Sequence, residues 1–114
     1  MEIFFRTKKL QELCSSGREM QKHHGRALAD KLKQRLTELS AAETLADVSR
    51  LPPPRCHEHK GNRKGQFTVD LTNQMRLVFI PANEPIPRRD DGGIDLARVT
   101  QIEIITIEDP HPNK

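Results

Sequence analysis

The sequence predicts an α+β domain in which two N-terminal helices pack on one face of a small, mainly antiparallel sheet. The chain has 114 residues, enough for one ordinary domain and too few for two. Leucines recur at helical spacing before residue 50, whereas apolar and polar residues alternate after residue 65. Only 34% of the residues are hydrophobic, which limits the core to one helical layer on one sheet. We therefore expect residues 1–114 to form a single domain.

A short strand and a short helix are predicted at the start of the chain. Residues 2–6, EIFFR, are apolar and aromatic, as is typical of a strand. Thr7 is suited to cap the helix that follows, and Gly17 is expected to end it. The apolar face of this helix consists of Leu10, Leu13 and Cys14.

A second, longer helix is indicated by four leucines that form one apolar stripe: Leu28, Leu32, Leu36 and Leu39. Basic residues such as Arg35 lie off this stripe, and His23 and His24 are expected to precede the helix or cap it. Residues 41–48 can add one further helical turn. Three consecutive prolines at 52–54 then end helical structure and predict an extended linker.

The hydrophobic period changes after Gly65, where a hairpin is predicted. Phe67, Val69 and Leu71 alternate with polar residues, residues 72–74 reverse the chain, and residues 75–80 form the return strand. The segment 81–95 contains three Pro and two Gly and is expected to be a mobile loop. Apolar residues in 99–107 predict the last strand, so the C-terminal half forms a meander.

Charge and cysteine content limit which partners and which cellular location we expect. Residues 1–40 carry +4 and residues 55–76 carry +3, whereas residues 77–114 carry −3. This asymmetry favours a polyanionic partner, with an ordinary solvated surface as the alternative. Trp and Tyr are absent, which disfavours a base-stacking platform. Two cysteines are too few for a disulfide framework and no apolar run has the length of a membrane helix, so we expect a cytoplasmic protein without membrane association.

The stretch RCHEHKGNRKGQF, residues 55–67, concentrates imidazole and positive charge beside the first hairpin strand. If the strand ends meet in the folded sheet, this stretch lies close to Arg76 and to Asp109 and His111, which follow the last strand. Imidazoles, a carboxylate and fixed cations suit cleavage of RNA by its own 2′-hydroxyl, a reaction that needs no metal. A zinc site at Cys56, His57 and His59 is the weaker alternative, because no second ligand pair follows at a recognisable spacing.

Residues 57–81, HEHKGNRKGQFTVDLTNQMRLVFIP, resemble the core signature of the HigB-type killer toxins in the RelE/ParE superfamily. The Asp109-Pro110-His111 ending is similar to the Asp-Tyr-His of that family, and the resemblance covers nearly the whole chain. It implies a RelE-like fold and a type II toxin that enters the ribosomal A site and cleaves translated mRNA, without a metal or cofactor. The implied partners are the ribosome, mRNA and a cognate helix-turn-helix antitoxin, which would form a hetero-oligomer with the toxin.

The resemblance also implies roles for individual residues. His57, Asp109 and His111 would share the proton transfers, and Lys60 and Arg76 would stabilise the phosphate and the phosphorane. The remaining basic residues of the stretch would grip the RNA backbone: Arg63, Lys64 and His59. Two alternatives stay open. One is a ParE-like toxin directed at gyrase, which would not need these residues, and the other is a catalytically weakened module that binds RNA or antitoxin, since Pro110 replaces the family's tyrosine.

Overall fold

The computed structural model describes residues 1–109 and shows two helices packed on a five-stranded sheet. In chain order the elements are β1 (Glu2–Phe5), α1 (Lys8–Ser15), α2 (Gly17–Ala41), β2 (His57–Glu58), β3 (Phe67–Asp70), β4 (Arg76–Pro81) and β5 (Gln101–Glu108). The strand order is β1-β5-β4-β3-β2, with β1 parallel to β5 and the other pairs antiparallel. The predicted fold class is confirmed. No helix within residues 1–109 is long and apolar enough to cross a membrane.

One serine separates the two helices. The hydroxyl of Thr7 accepts the N–H of Leu10 at 3.0 Å, so the predicted cap of α1 is confirmed. Gly17 does not end α1, because the chain already becomes extended at Ser16. The Ser16 hydroxyl accepts the N–H of Glu19 at 3.2 Å and caps α2, so that Gly17 becomes the first residue of the second helix.

Helix α2 starts earlier than predicted and is kinked. It includes His23 and His24, and the kink lies at Gly25, where φ is 79° and glycine is favoured. The leucine stripe packs on the core as predicted. Arg35 was predicted to lie off the apolar stripe, but its side chain is buried. Its Nε donates to the carbonyl of Asp70 at 2.7 Å, and its Nη1 lies 3.2 Å from Glu38. Burial is tolerated because the guanidinium has these partners.

The predicted hairpin is β3–β4, and it pairs Thr68 with Val78 and Asp70 with Arg76. Strand β2 was not predicted; its two residues pair with the start of β3 and extend the sheet by one edge strand. Residues 82–95 contain no helix or ladder strand, yet they are tied to the domain by a bridge between Arg88 and Ile94, and Pro81, expected in the loop, is the last residue of β4. The expectation of a loop without packing is therefore wrong at Ile94, which is buried.

The sheet has one apolar and one polar face. The apolar face packs against the helices and supplies core residues from four strands: Phe67, Val69, Leu77, Phe79, Ile102 and Ile104, with Ile3 and Phe5 at the edge. Successive side chains of a strand point to opposite faces, so the intervening residues of β3, β4 and β5 point away from the helices. The face away from the helices is therefore the one that can carry a site.

Candidate functional site

Polar side chains converge where β3 and β5 end and β4 begins. Residues directly opposite one another on neighbouring strands share a face, and the register sets out two rows across the sheet. One row is His57, Thr68, Val78 and Thr106, and the other is Asp70, Arg76 and Glu108. We term the charged and imidazole residues of these rows, together with three residues from the segment around β2, the polar cluster. Its members are Arg55, His57, His59, Arg63, Asp70, Arg76 and Glu108.

Strand β2 and the residue that follows it place two imidazoles in this cluster. The Nδ1 atom of His57 lies 3.0 Å from the carbonyl oxygen of Arg55, and its Nε2 lies 3.4 Å from the hydroxyl of Thr68. His59 is two residues further along, and the two ring centroids are 5.7 Å apart. The backbone N–H of His59 donates to the carbonyl of Gln66 at 2.8 Å, which holds this end of β2 on β3.

His59 has an unusual environment for a histidine. Its Nε2 atom is buried and has no hydrogen-bond partner within the described part of the chain. Burial lowers the pKa of His59, and the positive charges of Arg63, His57 and Arg76 lower it further, against an opposing effect of Glu108. The ring is therefore neutral at pH 7, since the ordinary pKa of histidine is already about 6.5.

Arg63 extends across the polar face. Its Nε donates to the side-chain oxygen of Gln66 at 2.9 Å, before the start of β3, and its Nη1 donates to Glu108 at 2.8 Å, at the end of β5. Because β4 lies between β3 and β5, the guanidinium passes over β4. Thr68 and Val78 are completely buried although they lie on the face that the helices do not cover.

Asp70 holds the other two arginines with unequal strength. Arg55 makes two contacts with its carboxylate, at 2.7 Å from Nε and 3.1 Å from Nη2. The Nε of Arg76 lies 3.7 Å from the nearer carboxylate oxygen, which is longer than a hydrogen bond. Asp70 therefore holds the guanidinium of Arg76 less firmly than that of Arg55.

The cluster has a positive charge that suits an anion. Its three arginines and two carboxylates sum to +1 when both histidines are neutral. Lys60 and Lys64 lie exposed on the connection between β2 and β3, and their two positive charges are offset by Glu58 of β2 and by Asp109, which follows β5. That connection turns at Gly61 and Gly65, whose φ values are 68° and 94°. Lys64 lines a cavity with Glu58, Arg88 and Arg89, none of which belongs to the cluster.

The structure brings together part of the predicted set. His57, His59, Arg63 and Arg76 belong to one cluster, whereas Lys60 is exposed on the connection that follows His59 and Lys64 lines a separate cavity. Asp109 directly follows β5 and is partly buried. His111 and Pro110 lie outside the described residues, so their predicted roles stay predictions.

Four residues of this surface were missed by sequence reasoning: Arg55, Thr68, Asp70 and Glu108. A usable signal existed for Asp70, because a short turn at 72–74 sets it directly opposite Arg76. Nothing local in the sequence points to Glu108, since its role depends on the register of β5 with β4.

The zinc alternative finds no support in the geometry. Cys56 is packed in the hydrophobic core, and burial raises the pKa of its thiol to about 11. Zinc binds the thiolate, which this environment disfavours. Across residues 1–109 no group of three or more His, Cys, Asp or Glu side chains is placed to hold a metal ion.

Fold and cluster together define a class: a small α+β domain whose uncovered sheet face presents imidazoles and arginines. The structure of a YoeB/ParE toxin from Agrobacterium tumefaciens has this fold. It aligns with a TM-score of 0.58 over 97% of this chain and 100% of that chain, at 10% sequence identity. The chain thus has the RelE/ParE-type toxin fold. Neither a protein-family model nor a curated protein sequence matches it.

Proposed function

We propose that this chain is the toxin of a type II toxin–antitoxin system, of the HigB type, and that it cleaves translated mRNA on the ribosome. The observation that carries the proposal is the convergence of His57, His59, Arg63 and Arg76 on one uncovered sheet face. The toxin fold and the signature in residues 57–81 support the same conclusion. The protein would act in the cytoplasm, without a metal or cofactor.

The chemistry is transfer of a phosphodiester to the adjacent 2′-hydroxyl. The 2′-hydroxyl loses its proton to a base, the 2′-oxygen attacks phosphorus, and the bond from phosphorus to the 5′-oxygen breaks. An acid protonates the leaving 5′-oxygen, so the products are a 2′,3′-cyclic phosphate and a free 5′-hydroxyl. We assign the two proton transfers to His57, Asp109 and His111.

Stabilisation of the phosphorane falls to Arg76 and Lys60. Arg76 is suited to it because Asp70 lies 3.7 Å away and makes its short contacts with Arg55 instead. An entering phosphate therefore displaces only a weak contact from Arg76. Loss of one preorganised donor of this kind typically lowers kcat by about 10²–10³-fold. Arg63, Lys64 and His59 would contact the RNA backbone.

The proposed partners follow from this activity. The toxin would meet the mRNA in the A site of the ribosome, where the cluster would face the phosphate backbone. A cognate helix-turn-helix antitoxin would bind the toxin in a hetero-oligomer and silence it.

The test compares expression of the wild-type chain with that of His57→Ala and Arg76→Ala. Arg98→Ala is the matched control, because Arg98 is exposed and lies before the start of β5, at the opposite end from Glu108. Wild type and control should stop growth and create new mRNA 5′ ends within codons. The two cluster variants should restore growth while their thermal unfolding stays unchanged. Full toxicity of both cluster variants would refute the assignment of the site.

Two other outcomes would identify the alternatives. Inhibition of plasmid supercoiling by the purified chain, with mRNA left intact, would indicate a gyrase-directed toxin. Tight, salt-sensitive RNA binding without cleavage on translating ribosomes would indicate a binding module.

A further inference from the structure

Arg55 has a backbone conformation that its side chain does not favour. Among residues 1–109, only Arg55 and Asn73 are non-glycine residues with positive φ, at 49° and 54°. Asn73 sits in the β3–β4 turn, where asparagine is a common residue. For an ordinary side chain the left-handed region is disfavoured, because Cβ comes too close to the backbone carbonyl. Arg55 therefore persists in it only because its surroundings hold it there.

The consequence of this conformation is a hydrogen bond to the active-site histidine. The carbonyl oxygen of Arg55 lies 3.0 Å from Nδ1 of His57. A carbonyl has no hydrogen to donate, so Nδ1 must carry the proton. In neutral His57 the lone pair is then on Nε2, on the side of the ring near the Thr68 hydroxyl, 3.4 Å away. That hydroxyl can donate to neutral Nε2 and accept from protonated Nε2, so it fits both protonation states.

Three contacts hold Arg55 in place. Its guanidinium makes two bonds to the carboxylate of Asp70, at 2.7 and 3.1 Å. Its backbone N–H donates to the carbonyl of Leu51 at 3.1 Å, and the preceding carbonyl, that of Pro54, accepts the N–H of Asp70 at 2.8 Å. The segment before β2 is thus fastened to the end of β3 by both backbone and side chain.

We propose that Arg55 is a positioning residue: its left-handed backbone and its clamp on Asp70 fix His57 in the Nδ1–H form and leave Nε2 to exchange the proton with RNA. The role of Nε2 rests on the proposed function, whereas the tautomer does not. Arg55 accordingly serves His57 and not the phosphate, which separates it from Arg76 although both contact Asp70.

The tautomer can be read directly from the nitrogens of the histidine rings. Long-range ¹H–¹⁵N NMR spectra of the ¹⁵N-labelled chain, with His57 assigned by its loss in His57→Gln, should show protonated Nδ1 and bare Nε2 at a pH where the ring is neutral. Arg55→Ala removes the clamp, and Arg55→Gly also removes the strain. In both variants the Nε2–H form should gain population, whereas Arg98→Ala should match wild type. A wild-type His57 protonated on Nε2, or variants that keep the wild-type signals, would overturn the proposal.

Kinetics on translating ribosomes supply a second readout. Arg55→Ala should lower kcat by about 10²-fold, the usual effect of misplacing a reacting group, and leave KM nearly unchanged. A rise in KM with unchanged kcat would mean that Arg55 binds RNA instead, and would overturn the positioning role. If the wild-type chain cleaves nothing, the proposed function fails while the tautomer measurement still decides whether Arg55 positions His57.

Discussion

Replacement of Arg35 by alanine tests how α2 is joined to the site. This guanidinium is buried between α2 and the sheet, and only 1% of the residue is exposed. Its Nε donates to the carbonyl of Asp70 at 2.7 Å, so it links the helix to the residue that holds Arg55 and Arg76. The contact with Glu38 is of lesser weight, because the Glu38 side chain is 37% exposed.

The expected loss has two main parts. A hydrogen bond from a charged donor contributes about 1.5–3 kcal/mol. Removal of the buried stem adds about 0.8 kcal/mol for each methylene group. The contact with Glu38 adds about 0.5 kcal/mol at most. Relief from burying a charge offsets part of this sum. We therefore expect Arg35→Ala to lower the free energy of unfolding by about 4 kcal/mol, the order found for large-to-small core substitutions. Arg35→Met keeps the stem and should cost about 1–2 kcal/mol.

Urea unfolding followed by circular dichroism measures both variants. With a slope of about 2 kcal/mol per molar urea, the alanine variant should unfold at a midpoint about 2 M lower. Lys33→Ala is the matched control, since Lys33 is an exposed cation on the same helix, and it should stay within about 0.5 kcal/mol of wild type. If Arg35→Ala also stays within that margin, the guanidinium does not join the helix to the sheet and the account of its burial is wrong.

Three further outcomes are expected. Because burial lowers the pKa of His59, the unfolded chain binds protons first as pH falls below about 6.5. Stability should drop there, and His59→Gln should reduce the drop in urea titrations. Burial raises the pKa of Cys14 and of Cys56 to about 11, so a thiol reagent at pH 8 should label them only after urea unfolds the chain; rapid native labelling would contradict their burial. Gly25→Ala should cost about 2 kcal/mol through its positive φ alone, since no atom lies within 4 Å of the new Cβ; an unchanged midpoint would mean that the kink relaxes.

Periodicity predicted the fold well because most of the core depends on local patterns. The leucine stripe of α2 packs on the core as predicted, and so do Phe67 and Val69 of β3. The alternation predicted a half-buried β3, however, and Thr68 on its other face is buried as well. Arg35 shows the limit of such patterns. It lies beside Leu32 and Leu36 on the helix, and only the docking of the helix decides that its guanidinium meets the carbonyl of Asp70. A residue-by-residue hydropathy pattern contains no information about that partner.

The site was predictable where the chain itself sets the geometry. A three-residue turn brings Asp70 opposite Arg76, and a spacing of two residues in extended chain brings the rings of His57 and His59 close together. The contact of Arg63 with Glu108 spans 45 positions, and it follows only once β5 is placed beside β4 in a register that includes a bulge after Val78. Long-range register of this kind is set by the packed sheet as a whole, which a single sequence does not display.

Asp70 connects the fold to the proposed chemistry. Its carbonyl accepts from Arg35 on α2, its N–H donates to Pro54, and its carboxylate holds Arg55 closely and Arg76 loosely. One residue therefore ties the helix layer, the segment before β2 and the start of β4 to the same point. The two contacts of Asp70 differ in strength, and this difference separates the proposed roles of Arg55 and Arg76. The close pair fixes Arg55 and through it the ring of His57, whereas the longer contact leaves Arg76 able to turn toward a phosphate. A carboxylate that clamped both arginines equally would hold Arg76 in place and keep its guanidinium from turning toward a phosphate.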